Sequence, residues 1–488
     1  MFERPAAQDL KRASVRGGVN TMLAEGIVQA LRLAAIVILA RFLMPEHFGL
    51  IGMVTALTSV AERFKDLGLD FSTLQSDHIT HEQVSTLFWI NAGFGILIAL
   101  LVAVCAPGIA WFYGEPRLTA IAAVLGMTFV FGGFTIQHQA LMRRQMRFGA
   151  LAQVYVLATT VSSALGVVLA WCGFAYWALV WKEVAQQAVS VAGVWIWCRW
   201  VPGVPRWRSG IWPMLKVGGS VTGYNLVTFL SRSLDQIVIG KQWGAGPLGY
   251  YRQGYQLILP LYLLYFPVNH VAVPALSALH TNGEKYKAYY REMIALIALV
   301  CVPAATYLAV NSEIVVRLVL GEKWLPSAPI LRVLALAGGV SPLVITSGTV
   351  MITCGRTTRY FWLGMGNAVT LAISLLIGAR WSPYGVAVAY AVWAYVTLIP
   401  SLWISFRGTP VDIMDTAGGV AQAALSAAVM AVGLSLLPAI GGAPIVQFIW
   451  TFAAGAAIYT GTLCLLPGGR ADLLRRISYA SSLYANNL

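Results

Sequence analysis

The chain alternates between long apolar stretches and short polar segments along nearly its whole length. An α-helix rises about 1.5 Å per residue, so roughly 20 apolar residues cross the ~30 Å hydrocarbon core of a bilayer. The stretches have that length and lack the two-residue alternation of membrane-barrel strands. They predict fourteen transmembrane helices, over approximately residues 18–43, 48–64, 86–107, 118–140, 150–172, 176–198, 215–240, 250–275, 292–311, 328–353, 360–379, 384–404, 418–438 and 446–466.

Composition agrees with a polytopic, all-α membrane protein. Hydrophobic residues make up 58% of the chain and charged residues 11%, against about 25% charged in a soluble domain. The first seventeen residues are polar and basic, and the apolar stretch after them is too long for a cleavable signal, so the first helix is expected to stay in the protein. The six cysteines show no CxxC pair, and we expect neither disulfides nor a metal site from them.

The distribution of Lys and Arg predicts the orientation. The net charge is +14, and 22 of the 33 basic residues fall in the segments on the side of the two termini, whereas six fall on the other side and five within spans. Cytoplasmic loops carry the excess of positive charge, so both termini are predicted to be cytoplasmic. The basic residues are interpreted as topology signals and contacts to membrane lipids, and no nucleic-acid partner is expected.

The longest break in hydrophobicity, residues 199–216, is rich in Pro and Arg and predicts a boundary between two lobes. We expect a first six-helix lobe over 1–205, a second over 206–405, and two additional helices with a cytoplasmic tail over 406–488. When the sequence is compared with itself at an offset of two hundred positions, similar residues coincide, which supports a parallel repeat of the kind frequent in transporters. The shift carries Gly18 to Gly218, Arg32 to Arg232, Arg41 to Lys241 and Gly49 to Gly249.

Two of the predicted helices carry polar stripes at membrane depth. Glu25, Gln29 and Arg32 share one face of the first helix, and the stripe of the seventh comprises Asn225, Thr228, Arg232 and Asp235. Charged groups in the bilayer cost at least ~2.5–3.5 kcal/mol and usually face a bundle interior or a water-filled cavity. One interpretation is a cationic cavity that binds phosphate through guanidinium groups. The other is a pair of structural ion pairs, Glu25–Arg32 and Arg232–Asp235.

Other polar residues within the predicted spans leave several possibilities open. Arg252 opens the eighth span beside Tyr251 and Tyr255, whose rings suit either sugar contacts or an interfacial aromatic belt. The sixth span carries Lys182 and Glu183, which are expected to line the cavity or to pair with each other. His78 and His81 lack an evident third metal ligand. No P-loop, GxSxG or HExxH motif occurs, so we expect no cofactor, no metal and no ATP-driven motor.

A family resemblance is carried by residues 234–279, with "DQIVIG", "GPLGYYRQGYQL" and a close at Pro267, Asn269 and Pro274. Residues 40–54 and 65–75 add "ARFLMPEHFGLIGMV" and "KDLGLDFSTLQ". These motifs resemble bacterial polysaccharide exporters of the multidrug/oligosaccharidyl-lipid/polysaccharide exporter superfamily, in particular the colanic-acid exporter type. They cover about a hundred residues and are patterns of turns and helix ends, which are more specific for a family than for a substrate.

The resemblance implies a flippase in the bacterial inner membrane that moves polyprenyl-pyrophosphate-linked oligosaccharides to the periplasmic leaflet. It implies two rocking lobes, no catalytic activity, and work beside a polysaccharide polymerase and assembly machinery. It suggests Arg32, Arg232 and Arg252 as cavity positions. The alternatives are a cation-coupled small-molecule or drug exporter, for which an acidic cavity is expected, and an integral-membrane polymerase or ligase, for which a large external catalytic loop is expected.

Overall fold

The computed structural model describes residues 7–64, 68–76, 79–206, 233–263, 265–438 and 441–466, and within them the chain is helical with short turns and no strand. Packing divides the chain into two compact units, Met1–Gly249 and Tyr250–Leu488. The predicted all-α architecture is confirmed. The predicted domain boundary at 205/206 remains a prediction, since residues 207–232 lie outside the described part.

The first unit is built of helices that follow one another closely along the chain. Its described helices are α1 (Ala7–Phe42), α2 (Pro45–Phe64), α3 (Leu69–Gln75), α4 (His81–Tyr113), α5 (Arg117–Arg144), α6 (Phe148–Trp171), α7 (Tyr176–Cys198) and α8 (Leu234–Trp243). The helix α9 (Ala245–Leu263) begins in this unit. Close approach of α4 and α5 depends on Gly95 and Gly133, because a Cβ on either would lie 2.5 Å from a carbonyl oxygen of the facing helix.

The helix α4 is longer than the predicted span 86–107, and its two ends show why. At its start the side chain of Thr80 accepts the N–H of Gln83, while Gln83 accepts the N–H of Thr80 in return. This reciprocal cap satisfies backbone donors that the first turn leaves open. At its end Gly114 adopts φ 71°, a left-handed conformation that terminates helices. Caps therefore extend the helix beyond its apolar core.

The second unit contains α10 (Tyr265–Leu279), α11 (Gly283–Val310), α12 (Ser312–Val319), a 3₁₀ turn (Glu322–Trp324), α13 (Ser327–Thr353), α14 (Thr357–Gly378), α15 (Pro383–Phe406), α16 (Ile413–Leu436) and α17 (Pro444–Leu465). The hairpin α16–α17 is joined to α11 by tyrosine hydroxyls. From α11, Tyr290 and Tyr307 form hydrogen bonds with the hydroxyls of Thr416 and Thr451, each at 3.0 Å. From α17, the hydroxyl of Tyr459 donates to the carbonyl of Leu299 in α11 at 3.0 Å. The last two predicted helices are thus part of this unit.

Ten described helices are long and apolar enough to cross a membrane. They coincide with predicted spans one, three to five and nine to fourteen. The second span corresponds to α2 and the sixth to α7, which carries Lys182 and Glu183. The eighth corresponds to α9 and α10, which reach Leu279 rather than residue 275. Most of the seventh lies outside the described residues.

The starts of α2 and α9 cross at two glycines. A Cβ on Gly49 would lie 1.7 Å from the carbonyl oxygen of Ala245, and a Cβ on Gly249 would lie 1.9 Å from that of Pro45. Only glycine permits backbones this close. The shift of two hundred positions carries Gly49 to Gly249 and Pro45 to Ala245, so each contact is the image of the other. Such reciprocity is the geometry of a two-fold contact between like elements.

Candidate functional site

The polar stripe of α1 lies at the middle of a membrane span. Arg32 is the tenth residue of the 20-residue apolar segment Leu23–Phe42. At about 1.5 Å per residue it lies roughly 15 Å from the Phe42 end, half the thickness of the hydrocarbon core. Arg32 and Glu25 are exposed, and Gln29 is half-buried. The first helix therefore presents a guanidinium group at bilayer depth.

This stripe lies on the side of α1 away from two exposed apolar residues. Leu23 and Ile27, 62% and 51% exposed, mark the lipid-facing side of α1. At about 100° per residue, Arg32 and Glu25 lie roughly on the opposite side of the helix. A charged side chain that is exposed on the side away from lipid borders a space that water can occupy. A role of the Arg32 guanidinium in binding a polar ligand remains a prediction.

The structural ion pair Glu25–Arg32 is not formed. Within the described part of the chain, neither side chain makes a hydrogen bond or an ion pair. The reason is distance, because the residues are two helical turns apart, about 10.5 Å along the axis. The donors of Arg32 are therefore open to a ligand with a planar pair of oxygens, such as a phosphate.

The other predicted site residues are distributed as follows. Asn225 and Arg232 lie outside the described residues. Asp235 is buried at the start of α8, where its carboxylate accepts the backbone N–H of Gln236 at 2.8 Å. Arg252 is half-buried in α9, and Tyr251 beside it is 1% exposed, which leaves Tyr251 no free surface for a sugar. Membership of a substrate site remains a prediction for all of these residues, including the stripe of α1.

A charge pair lies on α7, the helix that corresponds to the predicted sixth span. The Nζ atom of Lys182 lies 3.1 Å from Oε1 of Glu183, and the two side chains are 19% and 45% exposed. Trp181 and Ile196, 41% and 65% exposed, mark the lipid-facing side of α7. By helical geometry Glu183 lies roughly opposite them. The sequence left open whether Lys182 and Glu183 line a cavity or pair with each other, and the ion pair is found.

Comparison with known proteins identifies the family of the chain. The profile of the family described as polysaccharide biosynthesis protein matches residues 38–329, more than half of the chain. The chain belongs to this family. The teichuronic acid biosynthesis protein TuaB of Bacillus subtilis is 28% identical over 71% of this chain and 73% of its own length. The lipopolysaccharide biosynthesis protein WzxC of Escherichia coli is 23% identical over 82% of both chains.

Among solved structures, the fold is similar to that of the lipid II flippase MurJ in an inward closed conformation. The TM-score is 0.76 at 14% identity, with 92% of this chain and 98% of that chain covered. At an identity this low, the structural similarity shows that the fold is shared. The resemblance to polysaccharide exporters of the multidrug/oligosaccharidyl-lipid/polysaccharide superfamily, expected from the motifs of residues 234–279, is confirmed. The family member described here is accordingly a multi-pass membrane protein with a transporter fold.

Proposed function

We propose that this protein is a flippase that moves a polyprenyl-pyrophosphate-linked oligosaccharide from the cytoplasmic to the periplasmic leaflet of a bacterial inner membrane. One observation carries the proposal: Arg32 is exposed at mid-membrane depth on the side of α1 that faces away from lipid. Relatives named for teichuronic acid and lipopolysaccharide biosynthesis support a saccharide substrate. A fold shared with a lipid II flippase supports a lipid-linked one.

The chemistry of Arg32 suits a pyrophosphate. A guanidinium group stays charged at every physiological pH and donates two parallel N–H bonds to one phosphate. A pyrophosphate that carries sugars cannot enter hydrocarbon unaided, because a charge in the bilayer is costly. A cation beside an aqueous space offsets that cost for the head group while the polyprenyl tail stays in lipid. Alternating access then requires only that the substrate bind the inward and outward states with different affinity.

Transport, not catalysis, is the proposed activity, with both termini cytoplasmic. The predicted partners are the lipid-linked substrate, the surrounding lipids, and a polymerase with its assembly machinery that uses the exported units. The cation-coupled drug exporter, the alternative from the sequence, is disfavoured because an uncompensated guanidinium repels cationic drugs.

Replacement of Arg32 tests the proposal. Arg32→Gln keeps hydrogen-bonding capacity and removes the charge, and polymer export in a deletion strain should fall at least about tenfold, since a hydrogen bond to a charged group contributes ~1.5–3 kcal/mol. Arg32→Lys should restore export only in part, because an ammonium lacks the planar fork. The matched control is Arg380→Gln, an exposed arginine at the turn after α14, which should export normally.

Membrane abundance is measured in parallel for each variant. Normal export by Arg32→Gln at normal abundance would refute the role of Arg32 in substrate binding. Accumulation of lipid-linked oligosaccharide on the cytoplasmic side, in Arg32→Gln and not in the Arg380→Gln control, would support it.

A further inference from the structure

Three arginines lie where the hairpin α14–α15 begins and ends. Its helices, Thr357–Gly378 and Pro383–Phe406, are both candidate membrane spans. Arg356 precedes the first helix, Arg359 lies in its first turn, and Arg407 follows the second helix. The excess of Lys and Arg predicts that this end of the hairpin is cytoplasmic. Three positive charges therefore lie at one end of a single pair of spans.

Contacts to the end of α15 hold these side chains near one another. Nη1 of Arg359 donates to the carbonyl of Ile404 at 3.4 Å and also to the carbonyl of Arg407. Nη2 of Arg356 donates to the carbonyl of Gly408 at 3.3 Å. All of these acceptors belong to the last turn of α15 or to the two residues after it. The guanidinium groups of Arg356 and Arg359 are therefore fixed beside the backbone of Arg407.

The charge of this cluster is not neutralised by a carboxylate in the part of the chain that the structure describes. The nearest carboxylates along the chain, Asp412 and Asp415, pair with basic side chains of α11 instead. The end of a helix supplies only about half a negative charge. A guanidinium group has five N–H donors, and each carbonyl contact uses one nitrogen. Capping of α15 thus leaves most donors and most of the charge open.

The hairpin α6–α7 of the first unit shows how little charge such a turn requires. There Nη2 of Arg147 donates to the carbonyl of Trp197 at 2.8 Å and caps the end of α7. The two other arginines before α6 are used elsewhere, since Arg143 lies 3.5 Å from Oδ2 of Asp70 and Arg144 is 4% exposed. One capping arginine thus suffices for that hairpin, and the three at α14–α15 need a further reason.

Two exposed tryptophans lie one turn further into the hydrophobic segments. Trp403 lies one turn before Arg407, whose Cζ is 5.5 Å from the centroid of the indole ring, and Trp362 lies one turn after Arg359. These residues are 57% and 66% exposed. Indole rings favour the head-group level of a membrane. A layer of guanidinium groups followed by a layer of indole rings matches the phosphate and the glycerol of a phospholipid.

We propose that the ends of α14 and α15 bind an anionic phospholipid of the surrounding leaflet, with Arg356, Arg359 and Arg407 at its phosphate and the two tryptophans at its glycerol. Guanidinium groups bind phosphate oxygens through parallel N–H bonds. Charge selects the lipid, because a zwitterionic head group carries an ammonium group that the arginines repel. Binding of this kind goes beyond the proposed transport activity and does not depend on it.

Affinities for single lipids test the proposal, and native mass spectrometry of the full-length protein in detergent resolves the first lipid bound. Wild type should bind phosphatidylglycerol several-fold more tightly than phosphatidylcholine. The double variant Arg356→Gln/Arg407→Gln should lose this preference, while Arg359 still caps α15. Arg356→Lys/Arg407→Lys should keep most of it, because the charge is retained.

The matched control is Arg143→Gln/Arg206→Gln, which removes the same charge from the side predicted to be cytoplasmic. These two arginines are ion-paired with Asp70 and Glu82, so the preference for phosphatidylglycerol should be unchanged. The melting temperature of each variant verifies its fold. Should the double variant melt below wild type, Arg407→Gln alone replaces it, since the guanidinium of Arg407 makes no hydrogen bond to the described residues. This single change should already reduce the preference.

Three outcomes would overturn the inference. Equal affinity of wild type for both lipids would show that the cluster selects no charge. An equal loss of preference in the Arg143→Gln/Arg206→Gln control would assign the effect to net charge alone. Displacement of phosphatidylglycerol by farnesyl pyrophosphate, or by inorganic phosphate, at the same concentration would show that the arginines hold a transported or soluble phosphate rather than a lipid of the bilayer.

Discussion

Single charged side chains in this molecule follow two different physical rules. Arg32 lies within a candidate membrane span and is exposed on the side of α1 opposite Leu23 and Ile27. Asp415, in the first turn of α16, is 1% exposed and is neutralised by Arg291 Nε at 2.8 Å and Lys287 Nζ at 3.2 Å. Its other contact is the N–H of Asp412, which donates to Oδ2 at 2.8 Å. In the first arrangement the charge is exposed, and in the second it joins α16 to α11.

The buried carboxylate gives a stability prediction. Asp415→Asn should lower stability by roughly 1–3 kcal/mol, since the buried carboxylate loses its charge-assisted contacts with Arg291 and Lys287. Asp412→Asn, the same change three residues earlier at a side chain that is 77% exposed, should cost less than about 1 kcal/mol. Thermal unfolding in detergent measures both. Equal melting temperatures for the two variants would contradict the assigned role of Asp415.

A pH dependence follows from Glu115 in the turn between α4 and α5. Hydrogen bonds from Arg117, at 2.7 and 2.8 Å, lower the pKa of the Glu115 carboxyl below its ordinary value. A lowered pKa stabilises the fold above the unfolded-state pKa of about 4.3, and the contribution is lost as pH falls through the folded-state value. At pH 7 the free energy of unfolding of wild type should exceed that of Glu115→Gln by less than about 1 kcal/mol, and its melting temperature should be slightly higher. The difference should shrink as pH falls below about 4.3, and a constant difference would contradict this cause.

Sequence reasoning located some of these residues and missed others for physical reasons. The stripe of Glu25, Gln29 and Arg32 follows from helical periodicity alone and is found as expected. The absence of the Glu25–Arg32 pair required the distance between two turns to be weighed against side-chain length. Burial of Tyr251 and of Asp235 depends on which neighbours pack against them, and no local pattern encodes that.

At the scale of helices, the crossing of α2 and α9 leaves the least space for an added Cβ among the glycines that the structure describes. A methyl group on Gly49 or Gly249 would overlap a backbone carbonyl, which a side-chain movement cannot relieve. Gly49→Ala and Gly249→Ala should each separate the two helices and lower the melting temperature. The control is Gly246→Ala in the first turn of α9, where nothing lies within 4 Å of the added methyl.

The control should melt at or above the wild-type temperature, because alanine is favoured over glycine in helices by about 1 kcal/mol. Loss of stability in Gly246→Ala equal to that in Gly249→Ala would show that helix propensity, not the crossing, explains the effect.

The positions of the helices were predictable because the length of each apolar stretch determines them. The residues at which helices begin and end were less predictable. The cap at Thr80 lengthens α4, and α10 continues to Leu279 beyond its apolar part. The short helices α3 and α12 fall outside a search for membrane spans, since they have seven and eight residues. The offset repeat pointed to Gly49 and Gly249, but their contact with each other's helix required the three-dimensional structure.

For the whole molecule, orientation in the membrane is the remaining expectation from the sequence. The excess of Lys and Arg in the segments on the side of the termini predicts that reporter fusions after Leu488 and after Arg206 are cytoplasmic. Fusions near Glu115 and Glu322 should be periplasmic. A periplasmic reporter after Leu488 would mean that the number of spans is odd.

The reciprocal glycines also bear on how such a chain arises. If a gene encoded only one half, two copies of its product would meet at this crossing as a symmetric homodimer, each glycine against the partner's helix start. One codon would then determine both sides of the contact, so a single mutation to glycine would create the close approach twice. After duplication and fusion the two codons mutate separately, yet neither can change without cost while the other copy still occupies the space. The crossing would therefore preserve an ancestral dimer interface inside a single polypeptide.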